Sequence, residues 1–244
     1  MDLSKKTVII TGGAIRIGRA ISKELSSAGA NIFCHYNSSR EDAVSLQEEI
    51  LTSGGKIHIH KCDLSASGVH DELIAEVIRK FGRIDILINN SAVFYKTQFG
   101  KITEKDWDTF HSLNLKSAFF LAQAAGNEML KQRSGKIINI GDAGALSPWP
   151  SYLPYSISKA GIIAMTIGLA KALAPYIQVN CVNPGPVMIP KEMSQAERKK
   201  ALDQTLLKRE GSAADIARTV RFLIEGSDYI TGTVIPVDGG RQIR

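Results

Sequence analysis

The chain has 244 residues, of which 44% are hydrophobic and 22% charged, with a formal net charge of +6. That length and apolar content suit one domain with a buried core and exclude a low-complexity or repeat-built chain. The basic excess is scattered apart from Arg198-Lys199-Lys200, without the aromatic-interleaved stripe that nucleic acid binding needs; no transmembrane run is expected, and Met1-Asp2-Leu3-Ser4 is too short for a signal peptide.

Lys6-Thr7-Val8-Ile9-Ile10 is rich in β-branched residues and reads as a buried strand over Thr7–Ile10. It runs into Thr11-Gly12-Gly13-Ala14-Ile15-Arg16-Ile17-Gly18, then into a helical pattern of Ala20, Ile21, Leu25 and Ala28 that stops at Gly29. A strand, a glycine turn and a helix together let backbone N–H groups and the helix dipole receive a pyrophosphate. Gly12, Arg16, Ile17 and Gly18 are therefore candidate dinucleotide-binding residues. The second strand, Asn31–Tyr36, ends without the Asp or Glu that would bind a ribose 2′-hydroxyl. Asn37, Ser38, Ser39 and Arg40 follow it, donors suited to a 2′-phosphate, so NADP(H) is the expected cofactor.

The later apolar runs are Ile57–Lys61, Ile84–Ile88, Lys136–Ile140, Ile177–Val182 and Val234–Val237, alternating with helical patterns. Together with the first two they predict a single-domain α/β Rossmann fold over 1–244, a seven-stranded parallel sheet with helices on both faces. His58 and His60 share one face of the third strand, but no third ligand is apparent and no metal is expected. Cys34, Cys62 and Cys181 fall on or beside strands and share no motif, which suits small buried hydrophobes in a reducing cytoplasm. Pro184, Pro186 and Pro190 interrupt the chain before Lys191–Lys208, its least core-like stretch, and predict a substrate lid near 186–208.

Tyr155 and Lys159 stand four residues apart at the start of an apolar helical run ending at Ala174, and that spacing places both on one helix face. A phenol with pKa about 10 is a poor base at neutral pH. An ammonium about 4 Å away favours the phenolate by roughly 4 kcal/mol at an effective dielectric of about 20, giving a Tyr able to exchange a proton with a carbonyl, imine or alcohol. Ile157, Ile162, Ile163, Ile167 and Leu169 point several ways from this helix, so the sheet and a second surface must both cover it.

The ordered landmarks resemble the short-chain dehydrogenase/reductase family nearly end to end. They are the Thr11–Gly18 loop, Asp63-Leu64, Asn89-Asn90-Ser91-Ala92, Asn114, Tyr155 with Lys159, Pro184-Gly185, Tyr229–Gly232 and Val237–Gly240. The resemblance implies a cofactor along the carboxyl edge of the sheet, its pyrophosphate over Gly12–Gly18 and its adenine near Asp63, Leu64 and Asn90. Pro184, Gly185 and Val187 would also border it. Lys159 would hold the ribose hydroxyls and lower the Tyr155 pKa, and Asn114, in a helix over Asp106–Ala125, would hold a water linking Lys159 to solvent. A homotetramer of D₂ symmetry is implied as well.

Two departures narrow the resemblance. Asp142 stands thirteen residues before Tyr155, where most members have Ser, and Arg16 stands where many have a third glycine. Both are similar to the pteridine reductase branch, as is Pro184–Pro190, which lacks the Thr many members place after Pro-Gly. A carboxylate accepts from ring nitrogens and amino groups, or donates when protonated, and Arg16 adds a cation between pyrophosphate and substrate. Phe94 falls where that branch stacks an aromatic ring on the pterin, whereas Ala92 lacks the hydroxyl that touches it. Substrate contacts are thus expected at Arg16, Phe94, Asp142 and Tyr155. Hydride would pass to a C=N or C=O carbon, with the proton from Tyr155 or Asp142. The expected function is NADPH-dependent reduction of dihydropterin- or dihydrofolate-like rings. A ketone reductase, such as one for 3-oxoacyl thioesters, is the alternative. A non-catalytic NADP-sensing module is another, although it would not need Asn114, Tyr155 and Lys159 together.

Overall fold

The computed structural model describes residues 1–190 and 193–244. In chain order it contains β1 (Thr7–Ile10), α1 (Arg16–Ser27), β2 (Asn31–Tyr36), α2 (Arg40–Thr52), β3 (Lys56–Lys61), α3 (Val69–Phe81) and β4 (Ile86–Asn89). Next come α4 (Glu104–His111), α5 (Ser117–Gln132), β5 (Gly135–Ile140), α6 (Leu153–Leu173), β6 (Ile177–Pro184), α7 (Gln195–Asp203), α8 (Ala213–Glu225) and β7 (Val234–Val237). The seven strands form one parallel sheet in the order β3-β2-β1-β4-β5-β6-β7. The chain leaves β1 toward one edge and returns at β4 toward the other, so a crevice opens at the carboxyl ends of β1 and β4.

The central strands β1, β4 and β5 are buried on both faces because alternate residues feed separate cores, whereas the edge strands β3 and β7 are part-exposed. Val8, Ile10, Ile32, Ile86, Ile88 and Ile138 pack with residues of α1, α2 and α8. Ile9, Phe33, Leu87, Ile137 and Val179 pack with residues of α3, α5 and α6 on the opposite face. Some of the polar side chains inside form a bonded chain. Asn89 Nδ2 donates to Asn139 Oδ1 (2.9 Å), Asn139 Nδ2 donates to Thr166 Oγ1 (2.9 Å), and Thr166 Oγ1 donates back to Ile162 O (2.8 Å). This chain of bonds fixes where α6 sits across β4 and β5, and therefore where Tyr155 and Lys159 stand.

Two helical expectations need correction. The helix expected over Asp106–Ala125 is α4 and α5 joined by a five-residue π-helical segment, Ser112–Lys116, in which the Ser117 N–H reaches back to Ser112 O. A wider turn of this kind, common at functional positions, carries Asn114. Secondly, α6 is long and apolar enough to cross a bilayer, with mean hydropathy 1.3 over an 18-residue window, although no such run was expected. It packs across β6 and beside α4 instead, while Ile157 and Ile167 remain exposed on its outer side.

Candidate active site

The glycine turn is clamped from behind by side chains of two other segments, Asn90 after β4 and His35 in β2. Thr11 Oγ1 accepts from the N–H groups of Asn90 and Ser91 (2.9 Å each), and Asn90 Nδ2 donates to Thr11 O (2.9 Å) and Gly12 O (3.2 Å). Asn90, placed beside the adenine by the resemblance, thus holds the loop itself. On the other side the Gly12 N–H donates to His35 Nδ1 (3.2 Å), and His35 Nε2 lies 3.0 Å from Cys62 O. Only the tautomer with its proton on Nε2 satisfies both contacts. Gly12 needs its φ of +59°, and a Cβ on Gly18 would stand 2.0 Å from Gly12 O. Gly18 therefore accepts glycine alone, and Gly12 strongly favours it.

Burial pushes the His35 pKa down to about 4. An unfolded His takes up its proton near pH 6.5, whereas folded His35 stays neutral to about pH 4. Its stabilising contribution is therefore present above pH 6.5 and is lost as pH falls toward 4, by at most about 3 kcal/mol. Urea unfolding between pH 7 and 4.5 should show His35→Gln losing less stability than the wild type over that range. Parallel losses in the two proteins would refute the assignment.

Beyond the turn lies a cleft of about 750 Å³. Of the residues named from the sequence, Gly12, Arg16, Ile17, Gly18, Asn37, Ser38, Ser39, Leu64, Asn90, Phe94, Asp142, Tyr155, Lys159, Pro184, Gly185 and Val187 line it. Three expected residues stand outside its lining. Arg40 is the first residue of α2 and exposed, so the polar groups at this end are Asn37, Ser38, Ser39 and the helix start, where Ser39 makes no side-chain cap. Asp63 folds into a local turn, accepting from Ser65 N (2.9 Å) and Ser65 Oγ (2.7 Å). Asn114 lies buried behind the wall. It exchanges two bonds with the Val93 backbone (2.8 and 3.1 Å) and donates to Ser158 Oγ (3.2 Å), and makes no direct contact with Lys159.

The donor arrangement fits an NADP molecule. The start of α1 has no side-chain cap, so its N–H groups face the glycine turn unpaired by side chains, as a pyrophosphate requires. Among the described residues no carboxylate lines the outer end beside Asn37, Ser38 and Ser39, and the uncapped start of α2 offers further N–H groups to a 2′-phosphate. Arg16 occupies the left-handed region, with φ of +51°, at a cost to a non-glycine residue of about 1 kcal/mol. Its guanidinium donates to Met188 O, tying the turn to the 186–190 segment beyond β6.

At the inner end, the Tyr155 hydroxyl donates to Asp142 Oδ2 (2.7 Å), while Asp142 Oδ1 accepts from Gly144 N (2.6 Å). Lys159 Nζ donates to Ile140 O (2.8 Å). This corrects the expected pairing of Lys159 with the phenol. The helical spacing does place both on one face, but the carbonyl at the end of β5 takes the ammonium and Asp142 takes the hydroxyl. Burial, reinforced by the Asp142 charge, raises the Tyr155 pKa well above its ordinary value instead of lowering it. Burial also raises the Asp142 pKa, opposed by the Gly144 N–H and the Tyr155 hydroxyl. Tyr155 therefore holds its proton at neutral pH and is arranged as an acid.

The pocket wall contains aromatics that the sequence reading missed. Phe94 stacks on Tyr152 (4.6 Å between centroids, 3° between planes) and meets Tyr155 edge-on at 4.8 Å. Trp149 closes this group, with the Arg241 guanidinium 4.8 Å over its ring and bonded to Gln204 Oε1 (2.7 Å). The signal was present in Pro148-Trp149-Pro150-Ser151-Tyr152, two aromatics among prolines just before Tyr155. At the mouth, Lys96 pairs with Glu197 of α7. Residues 186–190 and α7 border the cleft within the expected lid, whose residues 191 and 192 lie outside the described residues.

A family profile described as enoyl-(acyl carrier protein) reductase matches residues 13–242. The 3-oxoacyl-[acyl-carrier-protein] reductase FabG of Thermotoga maritima is 34% identical over 247 residues, covering 100% of each chain. A short-chain dehydrogenase/reductase from Serratia marcescens superposes with a TM-score of 0.92 at 30% identity, over 99% of this chain and 100% of its own. FolM alternative dihydrofolate reductase 1 from Brucella suis, solved in complex with NADP, gives 0.92 at 30% identity over 100% and 97%. With the glycine turn, the Tyr155–Lys159 helix and the fold in agreement, the chain belongs to the short-chain dehydrogenase/reductase family and is an NADP-dependent oxidoreductase.

Proposed function

We propose that this enzyme is a pteridine reductase, acting on dihydropterin- or dihydrofolate-like rings. The observation that carries this reading is the part-buried bond from the Tyr155 hydroxyl to Asp142, beside an aromatic wall. A plain ketone presents only an acceptor, and an ionised carboxylate beside it repels the developing alkoxide. A pterin presents amino and ring N–H donors, which a carboxylate accepts, and a flat ring that can lie against Phe94. NADPH, when bound, supplies hydride to the ring carbon. Tyr155 and Asp142 share the proton delivered next to it, Lys159 orients the ribose end, and Phe94, Trp149 and Tyr152 exclude water. The name of the Brucella suis neighbour is in keeping with this substrate class.

A 3-oxoacyl thioester reductase is the second reading, favoured by the 34% identity to the Thermotoga maritima enzyme. NADPH oxidation, followed with dihydropterin, quinonoid dihydropterin, dihydrofolate and acetoacetyl thioester, separates them. Turnover of a reduced pterin well above that of the thioester is expected. Robust thioester turnover with none on any pterin would overturn the first reading.

We read the segment 186–208 as a lid within one domain, latched by Lys96 and Glu197, and the unpaired cysteines as suited to the cytoplasm. The outward-facing apolar side chains support a D₂ homotetramer. Phe119 and Phe120 on α5 and Ile157 and Ile167 on α6 are exposed, and exposed Phe222, Leu206 and Leu207 lie together elsewhere. Sedimentation at micromolar concentration should give four chains of 26.5 kDa. A stable monomer would refute this.

A further inference from the structure

At the far edge of the sheet, away from the cleft lining, the third side chain missing from the sequence pattern is present. His58 and His60 are two apart on the edge strand β3 and project to one face. Both rings lean on Phe33 of the neighbouring strand, with centroids 5.3 and 5.5 Å away, which limits their rotation. From α3, Glu76 places its Oε1 3.4 Å from His58 Nε2. One ligand atom from each of His58, His60 and Glu76 lies within 4.8 Å of the others.

We propose that His58, His60 and Glu76 bind a divalent transition metal of the zinc class, clamping β3 to α3. Two imidazoles and one carboxylate form a borderline donor set that suits zinc, cobalt or nickel, whereas magnesium and calcium prefer oxygen ligands alone. A tetrahedral ion with bonds of about 2.0–2.2 Å needs ligand atoms roughly 3.3 Å apart. Small rotamer changes supply that contraction, since the His58 and Glu76 side chains keep 27% and 18% of their exposure. With three protein ligands, a fourth position is left for water.

Two cations oppose the ion. Arg79 donates to both carboxylate oxygens of Glu76 (2.7 and 2.6 Å), and the Lys80 charge acts on His58. They weaken the site, and Arg79 provides a variant that should strengthen it. Replacing Arg79 by Gln frees Glu76, so zinc affinity should rise severalfold, whereas a site without Glu76 would not respond.

The test is calorimetric titration of chelator-treated full-length protein with zinc chloride at pH 7.5, with cobalt chloride as a spectroscopic probe. One zinc per chain and visible bands of tetrahedral cobalt are expected. His58→Gln and His60→Gln should each weaken zinc at least tenfold, as expected for a lost ligand, and should abolish the zinc-induced rise in Tm. Unchanged NADPH binding shows that these variants are folded. If they fail to fold, the cobalt spectrum and the Arg79→Gln response of the otherwise intact chain decide. No wild-type binding tighter than about 100 µM, no tetrahedral cobalt bands, or undiminished binding in the folded double His variant would each overturn the proposal.

Discussion

Changing Tyr155 to Phe is expected to lower kcat by about 10²–10⁴-fold, the range for a positioned proton donor, with NADPH affinity nearly unchanged. The hydroxyl makes its one side-chain bond to Asp142, so its removal takes away a proton path more than a cofactor contact. Phe fills the same volume, and the ring contacts with Phe94 and Phe110 survive. The split between kcat and cofactor affinity is therefore diagnostic. Lys159→Ala should damage both, since the ammonium that bonds Ile140 O also lines the cleft. Pre-steady-state NADPH oxidation and fluorescence titration of NADPH measure the two quantities separately. Near-wild-type turnover in Tyr155→Phe would transfer the proton donor's role to Asp142.

The second large effect concerns Asp142 itself. Asp142→Ser should reduce turnover of reduced pterins by about 10²–10³-fold, within the range for loss of an acid–base group, and move preference toward simple ketones. Stability should respond differently. Burial raises the Asp142 pKa above its unfolded value, so whatever its protonated form contributes is present below the unfolded pKa and lost as pH rises through the folded one. Above the unfolded pKa the buried carboxyl is then a net burden on the fold, despite the bonds from Tyr155 and Gly144. The variant's Tm should not fall below that of the wild type at neutral pH, an instance of stability yielding to function. Loss of pterin turnover together with a collapse of Tm would point to a structural role instead. Phe94→Ala should raise KM more than it lowers kcat, because stacking acts in both ground and transition states.

The fold was legible because each strand is a short apolar run bounded by turn residues, and β1, β2 and β7 coincide with those runs. The glycine turn was legible for the same reason, since a strand, glycines and a helix adjoin in sequence. Pairings set by tertiary contact were not. The spacing of Tyr155 and Lys159 shows that they share a face, but not that Ile140 O and Asp142 would outbid each for the other. His35 reads as an ordinary core histidine in an apolar strand until Gly12 and Cys62 are brought to its two nitrogens. Likewise His58 and His60 predict a shared face, whereas Glu76 joins them only because α3 folds back over β3. Arg40 looked suited to a 2′-phosphate by its place after Ser39, and in the structure it is exposed and outside the cleft lining.

The wide turn at Ser112–Lys116 bears on insertions and deletions. Helical residues advance about 100° each, so one extra residue in that turn re-phases everything after it. α4 and α5 can therefore present different faces inward while remaining nearly continuous, and Asn114 sits where the phase changes. Most substitutions of the exposed residues here should be tolerated. Deleting one residue should not be, because it would rotate either Phe110 or Leu121 out of its buried place and take Asn114 away from Val93. The same deletion beside Gly54 or Gly100, where nothing lies within 4 Å of an added Cβ, would cost far less. In this stretch, then, chain length is under tighter constraint than residue identity.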